Sequence, residues 1–317
     1  MRNLSARFVV DLKSGFLSPI LQRIQKDVTL DMEIRDDSLN IYYRGGNLCF
    51  IRRERDSVYE FVFNTDYTRN SASAGVEKSS ELISKLPARV VDGSGVLAWV
   101  EAFPHIKLMM DLWFGINGGA EKEFQQLLAR ENNREIQNSD YFICDLEYAN
   151  AEARARFDAL AVHWTSTAHE RKGGKDRRLA IVEMKYGDSA LAGRAGIKKH
   201  VEDANSACGD PIRLKQIKAD AMVCFNQKRD LGLVEIGCAL ESFGSSKPEL
   251  IFVLAAHDPE SSILARELAA VSESDYEHID IKVAVSGFSG YCLFEQNIYS
   301  VTDFKKSFLN QISRARR

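Results

Sequence analysis

LAIVEMKYG (Leu179–Gly187) is the stretch on which the reading of the fold turns. Its apolar, β-branched run ends in Glu183-Met184-Lys185 and is closed by Tyr186-Gly187, the make-up of a buried strand that stops at a turn. Successive strand residues point to opposite faces, so Glu183 and Lys185 share one face and Met184 takes the other. Upstream, a second apolar run, RFDALAVHW, is interrupted by Asp158. Paired as a hairpin, the two runs let Asp158 join that face. Two carboxylates and an ammonium held on one sheet bind a divalent cation and set a cationic group beside it.

The tripeptide alone says little. Acid-x-Lys triplets begin at Asp11, Glu170, Glu183, Asp280 and Asp303, and a chain rich in both residue types produces several by composition. Context separates them. Asp11 precedes a helical pattern, Glu170 lies in a polar loop and Asp303 opens a helical tail. Asp280 begins a strand-like run, HIDIKVAVSG, but the segment before it has the period of a helix and not of a hairpin partner. Only Glu183 ends an apolar strand, has a strand aspartate upstream and follows a helix that carries a glutamate.

That helix is EKEFQQLLARENN, in which Phe124, Leu127 and Leu128 form a narrow apolar stripe. Glu121 borders its buried face near the start; Glu123 is the second choice. YFICDLEY, ARFDALAVHW and RRLAIVEMKYG read as three strands. A glycine-containing segment, GDSALAGRAGIKKH, leads to a long helix around Pro211–Leu231. It is followed by a strand (PELIFVLAAH), a helix (SSILARELAAV) and the strand at Asp280. The order is α-β-β-β-α-β with a βαβ-like extension, an α/β architecture.

Before residue 116 the pattern changes. FLSPILQRIQKD has helical spacing, and four strand-like runs follow: TLDMEIR, LNIYYR, LCFIRRE and VYEFVFN. Short turns at Asp36-Asp37-Ser38, Gly45-Gly46-Asn47 and Arg55-Asp56-Ser57 make them an antiparallel meander. Tyr42 and Tyr43 read as packing residues before they read as platforms for bases. A Ser-rich stretch (Arg69–Ser80) precedes helical material through about Leu112. The division is therefore an N-terminal α+β domain, residues 1–115, and an α/β domain, residues 116–317.

The 317 residues are 45% hydrophobic and 27% charged, an ordinary globular composition. There is no 18-residue apolar run, which argues against a membrane-spanning helix. The start, MRNLSARFVVDLKSGF, is a poor secretory signal because Asp11 and Lys13 cut its apolar run at once. Six cysteines are scattered without a CxxC pair, as in reduced buried thiols of a cytoplasmic protein. The net charge of −3 gives no global sign of a nucleic-acid protein. Locally, 14 Lys/Arg stand against 9 Asp/Glu from Thr165 to Asp230, densest in HERKGGKDRR (His169–Arg178) and continued by Arg194, Lys198, Lys199 and His200. Such a stripe attracts a phosphate backbone or is simply a solvated hairpin loop; both readings stand. GDSALAGRAG lacks the phosphate-loop pattern, and no nucleophile elbow is present. His163 reads as a satisfied strand residue and His257-Asp258 as a turn. Lys215, Gln216 and Lys218 stand on the long helix as weaker candidates for supporting a site.

With Glu121, Asp158, Glu183 and Lys185 in this order, residues 118–257 resemble the PD-(D/E)XK nuclease superfamily. The resemblance implies the restriction-endonuclease-like core, a mixed sheet flanked by helices, here joined to the N-terminal domain. Phe157 stands where the motif often has proline. The resemblance implies that Asp158, Glu183 and the Met184 carbonyl hold Mg²⁺, with Mn²⁺ as a substitute. It implies that Lys185 orients or deprotonates the attacking water or stabilises charge on the phosphate, and that Glu121 binds a second ion or orients a water on the first. The expected activity is metal-dependent hydrolysis of phosphodiester bonds, DNA being favoured over RNA, in defence, restriction or repair. Paired sites for two strands make a homodimer part of that expectation. The alternative is a catalytically silent nucleic-acid or protein interaction module that keeps the fold.

Overall fold

Alternating apolar residues and tight turns build the first of two units in a computed structural model of the chain. The structure describes residues 2–69, 76–134, 139–193, 196–258, 262–286, 290, 293 and 295–307. The first unit comprises Met1–Gln126 with Gln227–Leu233, and the second Leu127–Asn226 with Val234–Arg317. The boundary expected at residue 115 falls inside a helix, and the units part further on, within the next helix.

In the first unit, β1 (Leu30–Ile34), β2 (Ser38–Tyr43), β3 (Gly46–Arg55), β4 (Val58–Val62) and β5 (Arg89–Val90) form an antiparallel sheet in sequence order. The first four match the expected meander; β5 is an addition, because two residues carry no readable period. Helix α1 (Ala6–Lys13) was hidden by Asp11, which looked like an interruption of the apolar run. Asp11 is buried and accepts the Tyr59 hydroxyl at 2.7 Å, a bond that offsets its loss of water. Helix α2 (Ser18–Lys26) follows with Pro19 in its first turn, and then α3 (Glu77–Ser84). Helix α4 (Gly93–Asn117) is capped by the Asp92 carboxylate, which accepts the Ser94 and Gly95 amides at 3.0 and 3.1 Å.

The start of α5 (Ala120–Asn133) belongs to this unit because it lies on the β2–β3 turn. Gly45 has φ +73°, and a Cβ there would meet the Lys122 backbone at 2.3 Å, so only glycine fits. The Gln126 amide accepts the Gly45 N–H at 2.6 Å and donates to the Thr29 and Tyr42 carbonyls. Residues 227–233 return to the same unit. Gln227 exchanges two hydrogen bonds with the Leu4 backbone, both 2.8 Å. Lys228 pairs with Glu33 at 2.6 Å, both side chains buried.

Asp27 accepts from Lys107 Nζ at 2.5 Å and from the Thr29 hydroxyl at 2.7 Å. Burial by itself raises its pKa, but the bonds from Lys107 and Thr29 prevail and lower it from 3.8 to about 2. A depressed carboxyl stabilises the fold above its unfolded value, and that contribution is lost as pH falls through the folded one. Asp27→Asn therefore lowers stability at neutral pH, and the gap to the parent closes between 3.8 and about 2. Denaturant unfolding across that range checks it; a constant gap contradicts it.

The second unit is built on a mixed six-stranded sheet, order β11-β10-β9-β8-β7-β6. β6 (Tyr141–Asn150), β7 (Ala155–His163) and β8 (Arg178–Tyr186) are antiparallel neighbours. β9 (Glu249–Ala255) runs parallel to β8, and β10 (Asp280–Ser286) parallel to β9. Parallel neighbours need crossovers: α6 (Ile197–Gly209) and α7 (Pro211–Asp230) precede β9, and α8 (Ser262–Ala269) precedes β10. β11 (Tyr299–Ser300) closes the edge antiparallel to β10. β8 and β9 are central and buried along almost their whole length, which is why they read as continuous runs and not as alternations. The chain is thus mixed α/β with two sheets, and its α5-β6-β7-β8-helix-β9 order is the one expected from the sequence. α6 was not foreseen as a separate helix.

Candidate active site on the central strands

Charged side chains are rarely fully buried without a partner, so β8 stands out. Glu183 is 0% and Lys185 3% exposed, in the middle of an apolar sheet. Register explains how Asp158 reaches them. Ala159 pairs with Val182 and Leu160 with Ile181, so one further step sets Asp158 across from Glu183. The Asp158 carboxylate Oδ2 accepts the Met184 backbone N–H at 2.8 Å, holding it against β8. Asp158, Glu183 and Lys185 thus occupy one face of adjacent strands, with Met184 buried on the other. Asp145 on β6 pairs with Leu160 and so shares this face; it is 1% exposed. The sequence reading passed over Asp145, which a register shift in β6 hides from period-two counting.

The strand ends just beyond. Gly187, at φ +69°, turns the chain and donates its N–H to the Ala255 carbonyl at 2.8 Å. The three residues therefore lie toward the carboxyl ends of parallel β8 and β9, the end at which open α/β sheets place their ligands.

The carboxylate of Glu183 sets it apart. Neither oxygen takes a hydrogen bond among the described residues. Its charged neighbour is His200, from the first turn of α6, with Nδ1 3.0 Å from Glu183 Oε2; His200 Nε2 is likewise buried without a hydrogen bond. The competing acids are all engaged. Asp11 binds Tyr59 and Arg7, Glu170 binds Arg177, Asp280 binds Arg178 and Asp303 binds Ser300. His200 had entered the sequence reading only as part of a basic stripe; nothing in the spacing from Glu183 signals the contact.

Glu121 stands in the first turn of α5, in the portion of that helix that belongs to the first unit. Glu123, the second choice, pairs there with Arg44 at 3.0 Å. On α7, Gln216 donates to Asp220 and Lys218 to the Gly244 carbonyl, while Lys215 is exposed. His163 is stacked on Tyr141 with Nδ1 3.1 Å from Glu249, and its Nε2 is buried without a hydrogen bond among the described residues, so the sequence reading of a satisfied residue holds on one edge of the ring only. Burial opposes ionisation of Glu249, but His163, Arg178 and Tyr141 hold its pKa below the usual value. Asp258 donates its N–H to Asp188 in the turn after β9.

Much of the basic stripe is committed internally. Arg171 lies over the Phe142 ring and donates to the Thr165 and Ser139 carbonyls; its burial lowers its pKa to about 10. Arg177 binds Glu170 and the Gly173 carbonyl, and Arg178 binds Glu249 and Asp280. Lys172, Lys175, Lys198 and Lys199 remain exposed. Arg194 and residues 70–75 of the Ser-rich stretch lie outside the described residues.

Among the described residues no group of three or more His, Cys, Asp or Glu side chains is arranged to hold a metal ion. The expected set asks for less, two carboxylates and the Met184 carbonyl, and Mg²⁺ usually retains several waters. The described cysteines are free thiols, and no described helix is long and apolar enough to cross a membrane. No family model, curated protein or solved structure matches the chain.

Proposed function

We propose that the chain is a metal-dependent nuclease of the PD-(D/E)XK superfamily and that its second unit has the restriction-endonuclease-like fold. One observation carries the reading. Of the five acid-x-Lys carboxylates only Glu183 is fully buried with neither oxygen hydrogen-bonded among the described residues, and it shares a sheet face with Asp158 and Lys185. A buried carboxylate left so is costly unless a cation takes it up. The element order α5-β6-β7-β8-α6-α7-β9 and the mixed sheet support the same reading.

Asp158 and Glu183, with the Met184 carbonyl, would hold Mg²⁺ or Mn²⁺. A divalent cation there supplies Lewis-acid polarisation of a phosphoryl oxygen and a more acidic water. Asp158 is kept in place by the Met184 amide, so its geometry is set before any ligand arrives. Lys185 presents a positive charge inside the sheet, where low dielectric strengthens its action on charge developing at phosphorus. The exposed lysines of the Lys172–Lys199 region contact the phosphate backbone, DNA in preference to RNA.

Incubation of the full chain with plasmid and single-stranded substrates, with Mg²⁺ and then Mn²⁺, tests this. The parent cleaves, chelator stops it, and Asp158→Ala loses at least about a hundredfold in rate. Tight binding without cleavage under either ion assigns the chain to the silent interaction modules.

A further inference from the structure

Glu183 Oε2 and His200 Nδ1 approach to 3.0 Å, yet the carboxylate counts no hydrogen bond from the ring. The two atoms are close without being aimed at one another. Two ligands at right angles on an octahedral ion, each about 2.1 Å from it, stand about 3.0 Å apart. The ring's other nitrogen is buried and unbonded as well, so no hydrogen bond among the described residues fixes the imidazole by either edge. His200 sits in the first turn of α6, with its side chain 22% exposed and Glu183 at 1%.

We infer that His200 is a nitrogen ligand of the cation held by Glu183, so that the site favours Mn²⁺ and later divalent transition ions over Mg²⁺. The inference rests on the cation-binding reading above and narrows it to a class of ion. Mg²⁺ prefers oxygen donors, whereas imidazole suits transition ions. Two protein side chains, one nitrogen and one oxygen, leave the other positions to the Met184 carbonyl, Asp158 or water.

Electron paramagnetic resonance of Mn²⁺ with the full-length chain is the test, because it reads coordination and not turnover. Pulsed spectra of the parent show modulation from a directly bound nitrogen, which changes character when the protein carries histidine labelled with heavy nitrogen. Glu183→Gln loses the bound ion. His200→Gln loses the nitrogen signal and binds Mn²⁺ at least about tenfold more weakly, while its Mg²⁺ affinity, read by displacement of Mn²⁺, changes by less than about threefold. Mn²⁺ bound through Glu183 with no nitrogen modulation in the parent overturns the role of His200 and leaves the cation site standing. Failure of the parent to bind Mn²⁺ or Mg²⁺ at all removes the cation site itself.

Discussion

Lys185→Met is expected to abolish the proposed cleavage for practical purposes, kcat falling by about a hundred- to a thousandfold with KM little changed. Lys185 is 3% exposed on the central strand of the second sheet, and methionine nearly matches its length and volume. Methionine fills the same space, and because removing one charge from a buried polar group carries its own stability cost, folding of the variant is read separately from its rate. On the proposed nuclease reading, exposed lysines elsewhere would bind the phosphate backbone in ground and transition states alike, so KM holds. What the variant would lose is a charge placed where negative charge grows during the reaction, and that loss appears in kcat. Lys185→Arg does not restore activity, since a planar guanidinium cannot replace a compact point charge in a fully packed strand. Steady-state kinetics on a linear duplex, paired with thermal unfolding by circular dichroism, decide the matter. A variant with unchanged kcat removes Lys185 from the reaction.

Lys228→Met lowers the stability of the first unit by about 3–5 kcal/mol, the usual cost of removing one partner of a buried ion pair. Lys228 and Glu33 are 3% and 1% exposed and meet at 2.6 Å. Arg35 lies 4.0 Å from the other Glu33 oxygen, too far to replace the lost bond. Glu33→Gln costs less, because a neutral amide can accept from the ammonium, although Lys228 then keeps its charge in an apolar setting. The double variant Lys228→Met/Glu33→Leu recovers most of the loss, since two apolar groups satisfy each other. Hydrogen exchange of peptides covering β1 and the end of α7 reports the first unit specifically. Equal protection in Lys228→Met and the parent contradicts the argument.

The meander was legible because its signals are local. Turns at Asp37, Arg44-Gly45 and Ser57 carry positive φ values, and apolar alternation sits between them. Strand β8 was legible for the opposite reason, as an unbroken apolar run of a strand covered on both faces. Asp158 and Glu183 were legible because antiparallel register is arithmetic once two strands are known to pair. Helix α1 was not, because Asp11 finds Tyr59 across 48 residues, and no window spans that distance. His200 was invisible for the same reason: its nearness to Glu183 depends on where α6 begins after an irregular segment. The docking of α5 was not legible either: its first turns are held by Gly45, Arg44 and the β2–β3 turn. Such backbone docking leaves no mark in apolar periodicity.

The return of Gln227–Leu233 to the first unit bears on how the chain is made. Glu33 and the Leu4 backbone leave the ribosome well before their partners Lys228 and Gln227, which follow some two hundred residues later. At about 5–20 residues per second, the nascent N-terminal sheet waits on the order of ten to forty seconds before Lys228 can reach Glu33. The first unit, most of whose residues are made early, therefore reaches its final state only once the end of α7 has been delivered. A slow-translating stretch ahead of α7 prolongs that exposed interval, and a fragment cut at Gln126 never leaves it.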